Sequence, residues 1–108
     1  MRLGICKLSV VPMRKDAFHT SELVSELLFN DIYKIIEEND DWLKIQCLYD
    51  SYEGWIRKLQ HHEISEDEYK EYLSKEKYII NIPMIFYENT MLSFGSKVFE
   101  KIEGSIPL

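Results

Sequence analysis

The 108 residues are 45% hydrophobic and 13% aromatic, enough for one compact core and too little for two independent domains of ordinary size. Acidic residues (19) outnumber Lys and Arg (13), for a formal charge of −6, so the chain lacks the basic face of a sequence-independent phosphate binder and nucleic acid is not an expected partner. No apolar run approaches the ~20 residues that cross a bilayer. The opening Met1–Lys7 also lacks the uninterrupted apolar stretch of a secretory signal, so no membrane partner and a cytoplasmic location are expected.

Up to residue 62 the chain shows short β-type runs separated by turn signals, the spacing of a small all-β barrel or sandwich. Ile5–Val11 is the first predicted strand, stopped by Pro12. Residues 14–30 (RKDAFHTSELVSELLFN) are ambiguous, because Leu23, Leu27 and Leu28 recur at helical spacing. The next run, Ile32–Glu37, is strongly β-branched and ends in the turn cluster Asn39-Asp40-Asp41. That favours reading 14–30 as a long loop folded over the barrel. Trp42–Tyr49 alternates, with Leu43, Ile45 and Cys47 on one face and Trp42, Lys44 and Gln46 on the other. Two runs joined by a short Asn/Asp turn predict a hairpin, and Gly54-Trp55-Ile56-Arg57 follows as a further strand after the polar loop Asp50–Glu53.

Beyond residue 64 the composition changes. Ser65-Glu66-Asp67-Glu68 has the spacing of a capping box, in which the Ser65 hydroxyl and the Glu68 carboxylate satisfy amides at a helix start, and three acids favour the positive end of the helix dipole. A short helix over 66–74 is predicted, carrying little apolar surface beyond Tyr69, Tyr72 and Leu73, and so lying on the surface as a connector. Lys77–Ile82, Met84–Tyr87, Met91–Phe94 and Lys97–Ile102 are predicted strands, with turns at Glu88-Asn89-Thr90 and Gly95-Ser96. The organisation expected is a barrel over 1–64, a connector helix over 65–76 and additional β-strands over 77–108.

Read in order, VVPMR at 10–14, SELVSELLF at 21–29, a β-run, DWLKI at 41–45 and DSYEGWI at 50–56 form a series. It resembles the bacterial SH3-like module at the N-terminus of NlpC-type cysteine peptidases, the γ-D-glutamyl-L-diamino acid endopeptidases that act on cell-wall peptides. The resemblance covers roughly residues 3–62 and rests on the order of several short motifs, of which Gly54-Trp55 is the most specific. Where the family often has Gly-Glu this chain has Asn30-Asp31, and Asn and Asp tolerate the same turn. Residues 77–108, with SFGSKV at 93–98, resemble the opening strands of the second SH3-like domain of that family. The Asp-Cys-Ser-Gly nucleophile motif of its papain-like catalytic domain does not occur.

The resemblance implies a non-catalytic module that forms one wall of a peptidase pocket and helps select cell-wall peptides with a free N-terminal L-Ala. Glu22 would receive the peptide ammonium and Tyr52 would close over it. For Glu22 the alternative is a solvated loop carboxylate, with Glu26 as a substitute pocket acid one turn on if the loop is helical. Trp42 and Trp55 read as core or rim aromatics before ligand platforms, and Tyr52 too has a packing alternative. Cys6 and Cys47 are too few and too far apart for a zinc ribbon or a disulfide framework and read as reduced core thiols. The adjacent His61 and His62 point to opposite faces of an extended segment, so they form no pair of metal ligands. No metal, no other cofactor and no catalytic residue are therefore expected. The implied partners are the peptide and, if the chain is a fragment, downstream second SH3-like and papain-like domains. Self-association through 77–108 is expected from apolar side chains such as Ile85, Phe86 and Phe94. The competing expectation is a free-standing adaptor that binds peptidoglycan peptide or a protein through the aromatic cleft between the long loop and the Asn39–Asp41 turn.

Overall fold

The computed structural model describes residues 1–108. Strands β1 (Leu3–Ile5), β2 (Val10–Arg14), β3 (Leu23–Leu28), β4 (Ile32–Glu38), β5 (Trp42–Cys47), β6 (Glu53–Arg57) and β7 (Glu63–Ile64) form one seven-stranded sheet, ordered β3-β2-β6-β5-β4-β1-β7. Every pairing is antiparallel. The ladder shifts between Met13 and Arg14 and again between Ile35 and Glu37. Such shifts increase local twist, which curls a sheet this small around its own inner face. That face carries Val11, Met13, Leu27, Tyr33, Leu43, Ile45, Cys47 and Ile56 with Cys6. The predicted alternation of Leu43, Ile45 and Cys47 therefore points into the core, as period-2 spacing requires.

Within the barrel two predicted elements change. The run Ile5–Val11 is two strands, parted at Cys6–Ser9, and Pro12 lies inside β2. Pro12 pairs with Glu26 of β3, and proline is tolerated there because β6 reaches β2 only at Arg14↔Trp55, which leaves the other side of β2 open at Pro12. Residues 14–30 are not one long loop. SELVSELL supplies β3, whose register Val10↔Leu28 to Arg14↔Leu23 is set by β2, and the loop shrinks to 15–22. Leu23 and Val24 are exposed and only Leu27 is buried, as expected of an edge strand with one covered position.

The Asn39 side chain accepts from the amides of Asp41 and Trp42 at 3.1 and 2.9 Å, closing the β4–β5 hairpin with the Asx chemistry its sequence announces. A 3-10 turn, Lys58–Gln60, leads to β7. Helix α1 (Glu66–Ser74) has the full reciprocal capping box between Ser65 and Glu68. No residue of the helix is fully buried, but Tyr69 and Tyr72 pack on Leu3, Ile5, Ile32 and Ile64. No helix is long and apolar enough to cross a membrane.

The C-terminal segment forms β8 (Tyr78–Ile80), β9 (Met84–Tyr87), β10 (Thr90–Ser93), β11 (Lys97–Val98) and β12 (Ser105–Pro107). β9 and β10 make a ribbon, and β11-β8-β12 a small sheet. The predicted strand 97–102 stops at Val98, and the chain turns at Gly104 (φ +80°) to bring β12, which the sequence reading did not foresee, against β8.

One surface network ties the ends of the barrel together. Tyr33 is fully buried, and its hydroxyl lies 2.7 Å from His61 Nδ1, while His61 Nε2 lies 2.8 Å from Glu63. Arg2 bonds both Glu63 and Glu38, and Lys58 also pairs with Glu38. Hydrogen bonds from Arg2, then from His61, hold the Glu63 carboxyl down at about 2. A carboxylate with a depressed folded pKa stabilises the fold above its ordinary range near ~4.3 and loses that contribution as pH falls through the folded value. The urea midpoint should therefore drop between about pH 4.5 and 2, and more shallowly in Glu63→Gln. An unchanged slope in that variant would show that Glu63 carries none of the acid sensitivity.

Candidate functional site

The outer face of the sheet carries the polar and aromatic residues that the period-2 alternation turns away from the core. Pairing sets Trp42 opposite Arg57, and Trp55 opposite both Lys44 and Arg14. Arg57 lies over the Trp42 ring at 5.6 Å from its centroid. Trp42 is largely buried and Trp55 half-buried, so both are rim aromatics, and Trp42 also faces a cleft. That cleft, of about 200 Å³, is lined by Pro12, Arg14, His19, Trp42, Arg57 and Gln60. The sequence reading named the aromatic and missed Arg14, Arg57 and His19. The signal was present for Arg57, which shares a strand face with Trp55.

Glu22 and Tyr52 are both exposed. The backbone around each is held firmly. Glu22 O accepts from the Lys15 amide at 2.8 Å, and the Ser21 hydroxyl accepts from the Asp16 amide at 2.9 Å. The Asp50 side chain accepts from the Tyr52 amide at 3.0 Å, after a left-handed Ser51 (φ +64°). Their segments are neighbours. A Cβ added at Gly54 would stand 3.0 Å from Met13 Cβ, 3.1 Å from Arg14 O and 3.2 Å from Val24 Cγ2. Glycine at 54 therefore permits β6 to approach β2 and β3 closely, beside the residues that follow Glu22 and Tyr52. The two side chains do not meet in a hydrogen bond, and neither lines one of the principal clefts. Glu26, opposite Pro12 on β3, is also exposed. β3 is a strand, so the one-turn helical relation between Glu22 and Glu26 does not exist.

Residues 13–60 match the family model described as the bacterial dipeptidyl-peptidase SH3 domain. Fold and match together show a small all-β SH3-like barrel whose residues 13–60 are similar to that bacterial SH3 domain. No curated protein matches the chain.

Inside this SH3-like barrel the cysteines are packing residues. Cys6 and Cys47 are buried, and desolvation pushes both thiols up to about 11. Both are thus protonated at neutral pH, whereas thiol nucleophiles react as thiolates. Ser21 is buried and spends its hydroxyl on the Asp16 amide. His61 is bonded through both ring nitrogens, to Tyr33 and to Glu63, and no three His, Cys, Asp or Glu side chains converge as metal ligands.

The SH3-like barrel meets the C-terminal segment through a second polar group of residues. Asn30 sits in the left-handed region (φ +67°), which Asn tolerates. Asp31 and Lys97 form a buried ion pair at 2.6 Å, and Asp31 also accepts from the Leu28 amide at 2.8 Å. Asn30 donates to Lys97 O at 2.9 Å, and the Tyr72 hydroxyl donates to Asn30 O at 3.1 Å. The Lys97 ammonium lies 4.1 Å from the Tyr49 ring centroid. Above the pair opens a mainly apolar cleft of about 290 Å³ that includes Ile32, Leu48, Tyr69 and Leu73. Asn30-Asp31, read from sequence as a turn substitute, is thus also the anchor for residues 77–108.

Proposed function

We propose that the chain is the accessory specificity module of a cell-wall peptide-recycling cysteine endopeptidase. In this reading, Glu22 and Tyr52 form part of one wall of the substrate pocket, and residues 77–108 open a second SH3-like domain. The observation that carries this reading is the match of residues 13–60 to an SH3 domain of bacterial dipeptidyl-peptidases. It is supported by the ordered motifs around Glu22 and Tyr52 and by two thiols too buried for nucleophilic attack. A carboxylate on a hydrogen-bonded loop suits a peptide ammonium through an ion pair that orients it, and a tyrosine brought over it would add an apolar lid. Both side chains are exposed in this chain, as a wall completed by another domain would be. The accessory role is binding, with the bond-breaking chemistry left to that other domain.

In the peptidase that carries this module, Glu22→Gln keeps the shape and removes the charge. It should raise KM for peptides with a free N-terminal L-Ala about tenfold, the loss expected for a charge-assisted hydrogen bond. N-acetylated peptides should be cleaved equally by both enzymes. Equal losses for free and acetylated peptides would show that Glu22 supports the 15–22 loop and does not read substrate.

A further inference from the structure

Positive charge on the outer sheet face lacks a counter-ion. Arg2, Lys58, Lys75 and Lys97 each pair with a carboxylate, whereas Arg14 and Arg57 take part in no ion pair. Arg14 donates to Ser21 O at 3.0 Å, which aims its guanidinium across the base of the 15–22 loop and leaves most of its five donors unused. Arg57 lies over Trp42, and this contact orients the guanidinium without neutralising it. His19 and Gln60 add polar groups to the rim of the cleft, and Pro12 and Trp42 give it apolar walls. In a chain of net charge −6, two uncompensated arginines on one small concavity form a local positive site.

We propose that the Trp42 cleft binds the carboxylates of a short acidic peptide segment. Arg57 and Arg14 each engage a carboxylate through paired N–H donors, and Trp42 and Pro12 cover the aliphatic part of the side chain. A short peptide suits the site better than a polyphosphate, because Glu37 and Glu53 stand exposed on the same sheet and a long polyanion would meet the acidic remainder of the molecule. This site has the opposite charge preference to Glu22 and does not rest on the pocket-wall reading.

The test titrates the whole chain with N-acetyl-Glu-Ala-Glu-amide and with N-acetyl-Gln-Ala-Gln-amide, following tryptophan fluorescence and the two indole N–H resonances. Neither peptide carries an ammonium, so failure of the Glu22 reading leaves the outcome untouched. The diacid should bind saturably and shift the Trp42 indole, and the diamide should not. Arg57 is exposed, and Arg57→Gln should leave the fold intact while weakening the diacid about tenfold, the loss of one charge-assisted contact. Arg14→Gln should weaken it similarly. Equal binding of the two peptides, no saturation at millimolar diacid, or wild-type affinity in Arg57→Gln would each overturn the proposal. So would tighter binding of a short single-stranded oligonucleotide through the same two arginines.

Discussion

Asp31→Asn should destabilise the protein by about 3–5 kcal/mol, because it leaves the buried Lys97 ammonium without its counter-charge. Lys97→Met should cost about as much, since the Asp31 carboxylate would keep only the Leu28 amide as partner. For a protein of this size that is a large share of a total stability of about 5–15 kcal/mol. The double variant Asp31→Asn, Lys97→Met should regain most of the loss, because a buried pair replaced by neutral groups of similar volume no longer carries the desolvation cost of either charge. Urea unfolding of the four proteins gives the coupling energy directly. Single variants within about 1 kcal/mol of wild type would mean that the pair is solvated in solution and does not anchor the C-terminal segment. A further readout follows from the position of Lys97. If the pair holds residues 77–108 to the barrel, amide exchange in Tyr78–Ile80 should accelerate in the single variants before exchange in the barrel core does.

Gly4→Ala should also be severe. The added Cβ would stand 2.5 Å from the ring of Tyr33, closer than any carbon contact allows. A flexible side chain could swing aside, but Tyr33 is fully buried and its hydroxyl is held by His61 at 2.7 Å. Over-packing a core typically costs about 1–3 kcal/mol, and displacing the hydroxyl from its partner adds about 1–3 more. The thermal midpoint should fall accordingly. Shortening the tyrosine makes the mechanism testable, because Gly4→Ala should cost much less in a Tyr33→Leu background than in wild type. Equal costs in the two backgrounds would place the strain elsewhere on β1.

The site divides in legibility along the same lines as these effects. The Trp42, Lys44 and Gln46 face was readable because alternation over a single strand is a local property. The turn chemistry of Asn39 and the capping box at Ser65 were readable for the same reason, as each side chain bonds an amide two or three residues away. Arg14 joins the Trp42 cleft only through a ladder that pairs β2 with β6 across some forty residues, and no spacing rule reaches that far. His61 shows the limit from the other side. The sequence reading excluded it as one of a metal-binding pair, yet nothing local could have placed it between Tyr33 and Glu63.

What the sequence determined by itself is the run of strands β4, β5 and β6, the hairpin at Asn39–Asp41, the helix over Glu66–Ser74 and the core-facing row Leu43, Ile45 and Cys47, all encoded within a few residues of themselves. Tertiary structure alone decided three further matters. SELVSELL, with leucines at helical spacing, became β3 because β2 presents it with a ladder, and hydrogen bonds to a neighbouring strand outweigh a weak helical pattern that has no face to bury. Pro12, which locally reads as a stop, was admitted into β2 because β6 leaves that side of the strand open at this position. Lys97, which by composition belongs in water, is buried because Asp31, sixty-six residues earlier, supplies the opposite charge at the place where the C-terminal segment folds back onto the barrel. A buried charge is tolerable only with its partner in place, and that partner exists only once the chain has folded.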